Sequence, residues 1–170
     1  MIALAQDPLA TAERMVAHAR MPAPFDFQGA LAAPGPDMRE KIDRLEAFML
    51  RAPQVDIEPV HHFAHGIYAR EITIKAGTLL TGKIHKTEHL NIVSKGRIAV
   101  WTEDGVKEVA APFTMVSRPG TKRVGYALED TVWTTIHATD ETDLDKLEVE
   151  LIAATHDDVQ IEHTMKELAP

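Results

Sequence analysis

Apolar residues recur along this chain with two different periods, and the changes of period divide it into three parts. In the first, "DPLATAERMVAHARM" (residues 7–21) places Leu9, Ala12, Met15, Val16 and Ala19 on one face at helical spacing. Asp7 suits the N-cap, and Pro8 suits the first helical position, where no intrahelical N–H is needed. The next stretch, "PAPFDFQGALAAPGP", loses the period and reads as a linker over the surface. A second helix is predicted over "DMREKIDRLEAFMLR". Asp37 and Glu40 have capping-box spacing there, and Ile42, Leu45, Phe48 and Met49 form the apolar stripe. Both stripes read as core packing or as an oligomer contact.

From about Gln54 the period falls to two. In "GIYAREITI", Tyr68, Arg70, Ile72 and Ile74 share one side, and Ile67, Ala69, Glu71 and Thr73 the other. Short strands continue from there, separated by turn pairs at Lys95-Gly96, Asp104-Gly105 and Pro119-Gly120. Many short strands at close spacing predict a small barrel or jelly roll. Near Thr142 the helical period returns, with Leu144, Leu147 and Leu151 in "TDLDKLEVELIAA". The predicted organisation is a helical N-terminal extension (1–53), a β barrel (54–140) and a helical C-terminal extension (141–170), with no internal repeat.

Composition narrows the function classes. At 170 residues the chain suits one domain with a real core. Lys+Arg number 18 against 26 Asp+Glu, a net charge of −8 that argues against general nucleic-acid binding. There is no cysteine, hence no disulfide framework, thiolate nucleophile or cysteine zinc site. "MIALAQDPLATAERM" lacks the pattern of a signal peptide, and no apolar run approaches the ~20 residues of a spanning helix. A soluble, cytoplasmic protein without a membrane partner is expected.

"GKIHKTEHLNIVSKG" (82–96) carries the most specific pattern. With Gly77 as first glycine and Gly96 as last, it resembles the first cupin motif, G-x5-H-x-H-x3/4-E-x6-G. Lys83 stands at the first histidine position, His85 at the second, and His89 where the family has glutamate. "SRPGTKRVGYA" is similar to the second motif, G-x5-P-x-G-x2-H-x3-N. Gly120 takes the turn glycine, Arg123 the histidine position and Ala127 the asparagine position. Pro112 stands for the opening glycine and Arg118 for the motif proline, with Pro119 one place later. The resemblance covers roughly residues 55–140. "GKIHKTEHLNIVSKG" together with "PGTKRVGYALEDTVWTTIH" resembles cupin-like proteins common in tailed bacteriophages.

This resemblance implies a mainly β fold, a single cupin (double-stranded β-helix, jelly-roll) barrel with a pocket inside, and frequent dimers. It does not supply the function, because the fold hosts many chemistries. The motif positions imply that Lys83, His85, His89 and Arg123 converge inside the barrel. Imidazoles suit Zn, Fe, Mn or Ni, but Lys83 and Arg123 are cations with no lone pair to offer a metal. His137 in "VWTTIHAT" would complete a three-histidine metal set if it faces inward, and Glu88 is a further carboxylate candidate.

Three functions follow. The preferred one is binding of a small anion: Arg123 as a bidentate fork, Lys83 as a point charge, Tyr126 and Trp133 stacking on a ring, with or without one divalent metal. The second is a metal-dependent enzyme on His85, His89 and His137, with Tyr126 or Glu88 as acid or base. The third is a virion or assembly component whose pocket is vestigial. In a bland alternative Arg123 pairs with Glu129 or Asp130 and no ligand binds. His61, His62 and His65 read as solvated or turn residues; His18, His156 and His163 read as surface residues. Ser94 and Ser117 have no base placed beside them in the sequence. A homodimer is expected, in the host cytoplasm if the protein is phage-encoded.

Overall fold

The computed structural model describes residues 18–21, 26, 29, 38–102, 105–155 and 158–159. In chain order the elements begin with β1 (His18–Arg20), α1 (Met38–Met49), β2 (Val60–Ala64), β3 (Ile67–Ile74), β4 (Thr78–Thr81) and β5 (Ile84–His85). They continue with β6 (His89–Lys95), β7 (Arg97–Thr102), β8 (Gly105–Ala110), β9 (Phe113–Ser117), β10 (Val124–Ala127), β11 (Thr131–Ala138), α2 (Leu144–Leu151) and β12 (Ile152–Ala153). Two antiparallel five-stranded sheets form the body, in the orders β1-β4-β10-β7-β8 and β2-β3-β11-β6-β9. The chain crosses repeatedly from one sheet to the other, so the fold is mainly β: a jelly-roll barrel with few helices.

Side-chain parity follows the pleat. Tyr68, Arg70, Ile72 and Ile74 of β3 point inward, and Ile72 and Ile74 join Val93, Ile98, Val100, Val109 and Ala127 in an apolar floor built from both sheets. Outward-facing residues of the first sheet meet α1 instead. Ala19, Leu79, Tyr126 and Ala99 lie in one cross-strand row, and Ile42, Leu45 and Met49 of the helix pack over them. Glu46 anchors that helix: it accepts from Thr81 Oγ1 at 2.7 Å and pairs with buried Lys122 at 2.5 Å.

One expectation fails in the N-terminal part. Residues 18–20, assigned to the end of a helix, are a strand paired with β4 (His18↔Leu80, Ala19↔Leu79, Arg20↔Thr78). The exposed edge of β4 offers backbone partners that outweigh the local helical pattern. The helix itself over 7–17 and the Asp37–Glu40 box lie outside the described side chains.

The turns obey backbone geometry where it is tightest. Gly96, between β6 and β7, has φ +81°, and a Cβ there would sit 2.2 Å from the Asp130 carbonyl oxygen. Among the described residues no helix is long and apolar enough to cross a membrane.

A third, two-stranded sheet stands apart. Among the described residues β5 pairs only with β12 (Ile152↔His85, Ala153↔Ile84), so the end of the C-terminal helix holds the strand that carries His85. Leu147 and Leu151 of α2 bury against Tyr68, and Asp143 caps the helix through bonds from the Asp145 and Lys146 amides.

Candidate functional site

Three histidines converge inside the barrel from three strands. His137 on β11 is paired with Tyr68. Ile136 faces outward opposite Leu90, so the neighbouring residues His137 and His89 face inward side by side on adjacent strands. His85 approaches from β5, and its carbonyl accepts from the Gly120 amide at 2.9 Å. Ring centroids are separated by 4.2 Å (His85–His89), 4.7 Å (His89–His137) and 4.9 Å (His85–His137). One ligating nitrogen from each ring lies within 4.8 Å of the others. Tetrahedral coordination at about 2.1 Å would set such nitrogens about 3.4 Å apart, within reach of modest ring rotation.

The three rings are held neutral. Burial, followed by the other histidines and then Arg70 and Lys83, pushes His85 down to about 2. Burial, then His89, lowers His137 to about 4. His89 is lowered as well, chiefly by burial and against the pull of its hydrogen bond to Thr87. Neutral imidazoles have a lone pair to give. His89 Nδ1 lies 3.0 Å from the Thr87 carbonyl, so it carries the proton and leaves Nε2 as the ligating atom. His85 Nδ1 and His137 Nδ1 are buried with no hydrogen-bond partner. An unsatisfied buried polar atom costs about 1–3 kcal/mol, and a bound cation would relieve the one on each ring that ligates through it. The donor set therefore fits one divalent transition metal.

Around the triad is a cavity of about 1140 Å³, reaching from the apolar floor to α2. Its polar wall is a connected network. Asn91 donates to Ser117 Oγ at 2.6 Å, and its carbonyl accepts from Trp133 Nε1 at 2.9 Å and Thr135 Oγ1 at 3.1 Å. Arg123 Nη1 also donates to Ser117 Oγ, while its Nε is buried without a partner. Lys83 is bound to Glu148 of α2 at 2.5 Å.

This geometry brings some of the sequence-predicted residues to the cavity and leaves others away from it. Lys83, Arg123 and Trp133 line the cavity with the three histidines. Tyr126 does not: the pleat turns its neighbour Gly125 inward and Tyr126 outward, against the core beneath α1. Glu88 is exposed and absent from the lining, so neither acid–base candidate reaches the triad. Arg123 does not pair with Glu129 or Asp130, because Arg97 holds Glu129 at 3.3 Å and Lys75 holds Asp130 at 2.8 Å. His18 is not a surface residue, and His61 is partly exposed on β2 rather than in a turn. His18 faces inward from β1, and His61 lines the cavity with Nδ1 at 2.8 Å from Tyr68 Oη. His62 and His65 are exposed as expected; His156 and His163 lie outside the described residues.

Sequence reasoning missed Arg70, Tyr68, Asn91 and Glu148 as site residues. A signal existed for three of them. Arg70 and Tyr68 share the alternating face that carries Ile72 and Ile74, and Glu148 lies one helical step from Leu144 and Leu151.

A pH dependence follows. Burial, then Arg70, lowers His18 to about 4, and His61 is lowered for the same two reasons. Unfolded histidines titrate near 6.5, so between about pH 6.5 and pH 4 the unfolded chain binds more protons than the folded one. Stability is therefore full above pH 6.5 and falls as pH drops towards 4, and the three triad histidines add to the same slope. Urea unfolding of chelator-treated protein at pH 7.5 and pH 5.0 is expected to show this loss. His18→Gln should reduce it, and an equal slope in that variant would contradict the assignment.

No protein-family model and no curated protein matches the chain. Solved structures do. The structure of KdgF from Halomonas sp. is 17% identical with a TM-score of 0.44, over 52% of this chain and 83% of that one. A putative ethanolamine utilization protein EutQ from Salmonella typhimurium is 9% identical with a TM-score of 0.43, over 50% and 71%. A cupin domain from Bordetella pertussis is 12% identical with a TM-score of 0.39, over 49% and 93%. At that distance, the chemistry of the site rests on its own residues.

Proposed function

We propose that the barrel binds a small anionic molecule beside one divalent transition metal held by His85, His89 and His137. The observation that carries this reading is the closeness of three neutral, buried imidazoles, two of them with an unpartnered nitrogen, next to an Arg123 that has no carboxylate partner among the described residues. A metal alone would sit badly among cations, whereas an anionic ligand would complete both the metal and the guanidinium. The pattern shared by "GKIHKTEHLNIVSKG" and "PGTKRVGYALEDTVWTTIH" supports a phage or prophage origin, and with it a role in the host cytoplasm, as a homodimer.

A second reading, a metal-dependent enzyme, has one observation in its favour. Tyr68 stacks on His137 at 6.4 Å between centroids, and its hydroxyl is hydrogen-bonded to His61, which places a protic group beside the triad. Burial raises the Tyr68 pKa, so the group would stay protonated and act as a donor.

The test is the metal content of untagged protein purified without chelator. Near-stoichiometric Fe, Mn, Ni or Zn is expected. A stably folded protein that stays metal-free, even after incubation with each ion, would overturn the metal half of the reading.

A further inference from the structure

Arg70 and Arg123 both reach the cavity, and neither is in an ion pair among the described residues: Glu148, the acid whose charge reaches Arg70, is bound to Lys83. Among the described residues Lys75, Lys83, Arg97 and Lys122 each have a carboxylate within 4.0 Å, and Arg70 and Arg123 have none. A half-buried guanidinium cannot shed its charge, so two of them without an ion-pair partner cost folding energy that an anionic ligand would recover.

Their places in the sheet are distinct. Arg70 on β3 is opposite Thr135, in the inward row that continues through Asn91 to Met115. Arg123 is fastened to Ser117 at the end of β9. Between β3 and β9 lie β11 and β6, which carry His137 and His89. Three strand steps separate the two anchoring strands, about 14 Å between backbones. The two cations thus approach the histidine cluster from opposite sides. The electrostatics agree: Arg70 lowers His85 and His18, whereas Arg123 lowers His89. Lys83 is not a third free cation, since Glu148 neutralises it.

We propose that Arg70 and Arg123 form a two-point clamp, and that the ligand of this cavity is a small diacid, of the dicarboxylate class, lying across the three histidines with one acidic group at each guanidinium. This inference rests on the anion-binding reading above and sharpens it.

The clamp makes a comparison available that a single anion site would not. Each dicarboxylate from malonate to adipate is titrated calorimetrically against its own half-amide, with protein as purified and after chelator treatment. At the best length the diacid is expected to bind at least 10-fold tighter than the half-amide. Arg70→Gln and Arg123→Gln should each bring that ratio close to one while the half-amide still binds. Without ligand, Arg70→Gln is expected to melt no lower than the parent protein, because it removes a desolvated charge that no ion pair holds. A diacid and half-amide of equal affinity at every length would overturn the clamp and leave the anion reading standing. So would a ratio untouched by Arg70→Gln. If no acid of either kind binds, the anion reading itself fails, and the clamp with it. A marked fall in melting temperature for Arg70→Gln would mean that the guanidinium serves the fold instead.

Discussion

Replacing His137 by alanine is expected to cut divalent-metal affinity at least about 100-fold while the barrel stays folded. Loss of a residue that merely supports a ligand costs about 10–100-fold, and loss of a ligand should cost no less. His137 is only 3% exposed and its Nδ1 has no partner, so the imidazole contributes little hydrogen bonding to the metal-free fold. The gap left by alanine opens into a cavity that already exists, which limits the packing loss. His89 differs, because its ring also holds the Thr87 carbonyl, and His89→Ala should lower stability as well as affinity. Competition against a chromogenic chelator measures the affinities, with His62→Ala as a control on the exposed side of β2. Parent-like affinity in His137→Ala would remove it from the ligand set.

A chain ended after Asp143 is expected to lose both metal affinity and several kcal/mol of stability. Leu147 and Leu151 bury against Tyr68, and full burial of such a side chain contributes about 1.5–3 kcal/mol. The same truncation removes the strand paired with β5, the bond from the Lys86 amide to the Leu151 carbonyl at 2.8 Å, and the acid that holds Lys83. His85 would keep its chemistry and lose its position. Urea midpoints and metal titration on the truncated chain, beside Leu147→Ala, separate the two effects. Leu147→Ala should cost about 2–5 kcal/mol through the cavity it leaves and bind metal when folded. Truncated protein with full metal affinity would show that β12 does not place His85.

Much of the barrel is legible in the sequence because strand parity is a strict rule. The alternation in "GIYAREITI" places Ile72 and Ile74 in the floor and Tyr68 and Arg70 in the cavity, and Gly96 marks a turn that only glycine can make. The three residues of β1 are too few to display a period of two, and Ala19 fits a helical stripe equally well; only the free edge of β4 decides between them. At the site, spacing and resemblance brought His85, His89, Lys83 and Arg123 together and named His137 as a third imidazole if it faced inward; the structure turns it into the same cavity. What spacing could not carry is pairing. Glu148 reaches Lys83 through tertiary docking of α2, and Arg123 finds Ser117 rather than the nearby acids. Tyr126 was misplaced because its facing depends on the register of β10, which no local pattern fixes.

The pairing of β5 with β12 also imposes an order of events on a chain made from its N-terminus. When residues up to Ala138 have been synthesised, every strand of both main sheets exists, and the barrel can close with His89 and His137 in place. His85 then has no strand to lie against until Ile152 and Ala153 have emerged. Until then two of the three histidines stand on paired strands of the barrel, and the third gains its strand only with β12. On the metal-binding proposal, loading would follow the docking of β12 onto a barrel already closed, rather than accompany the closing of the barrel.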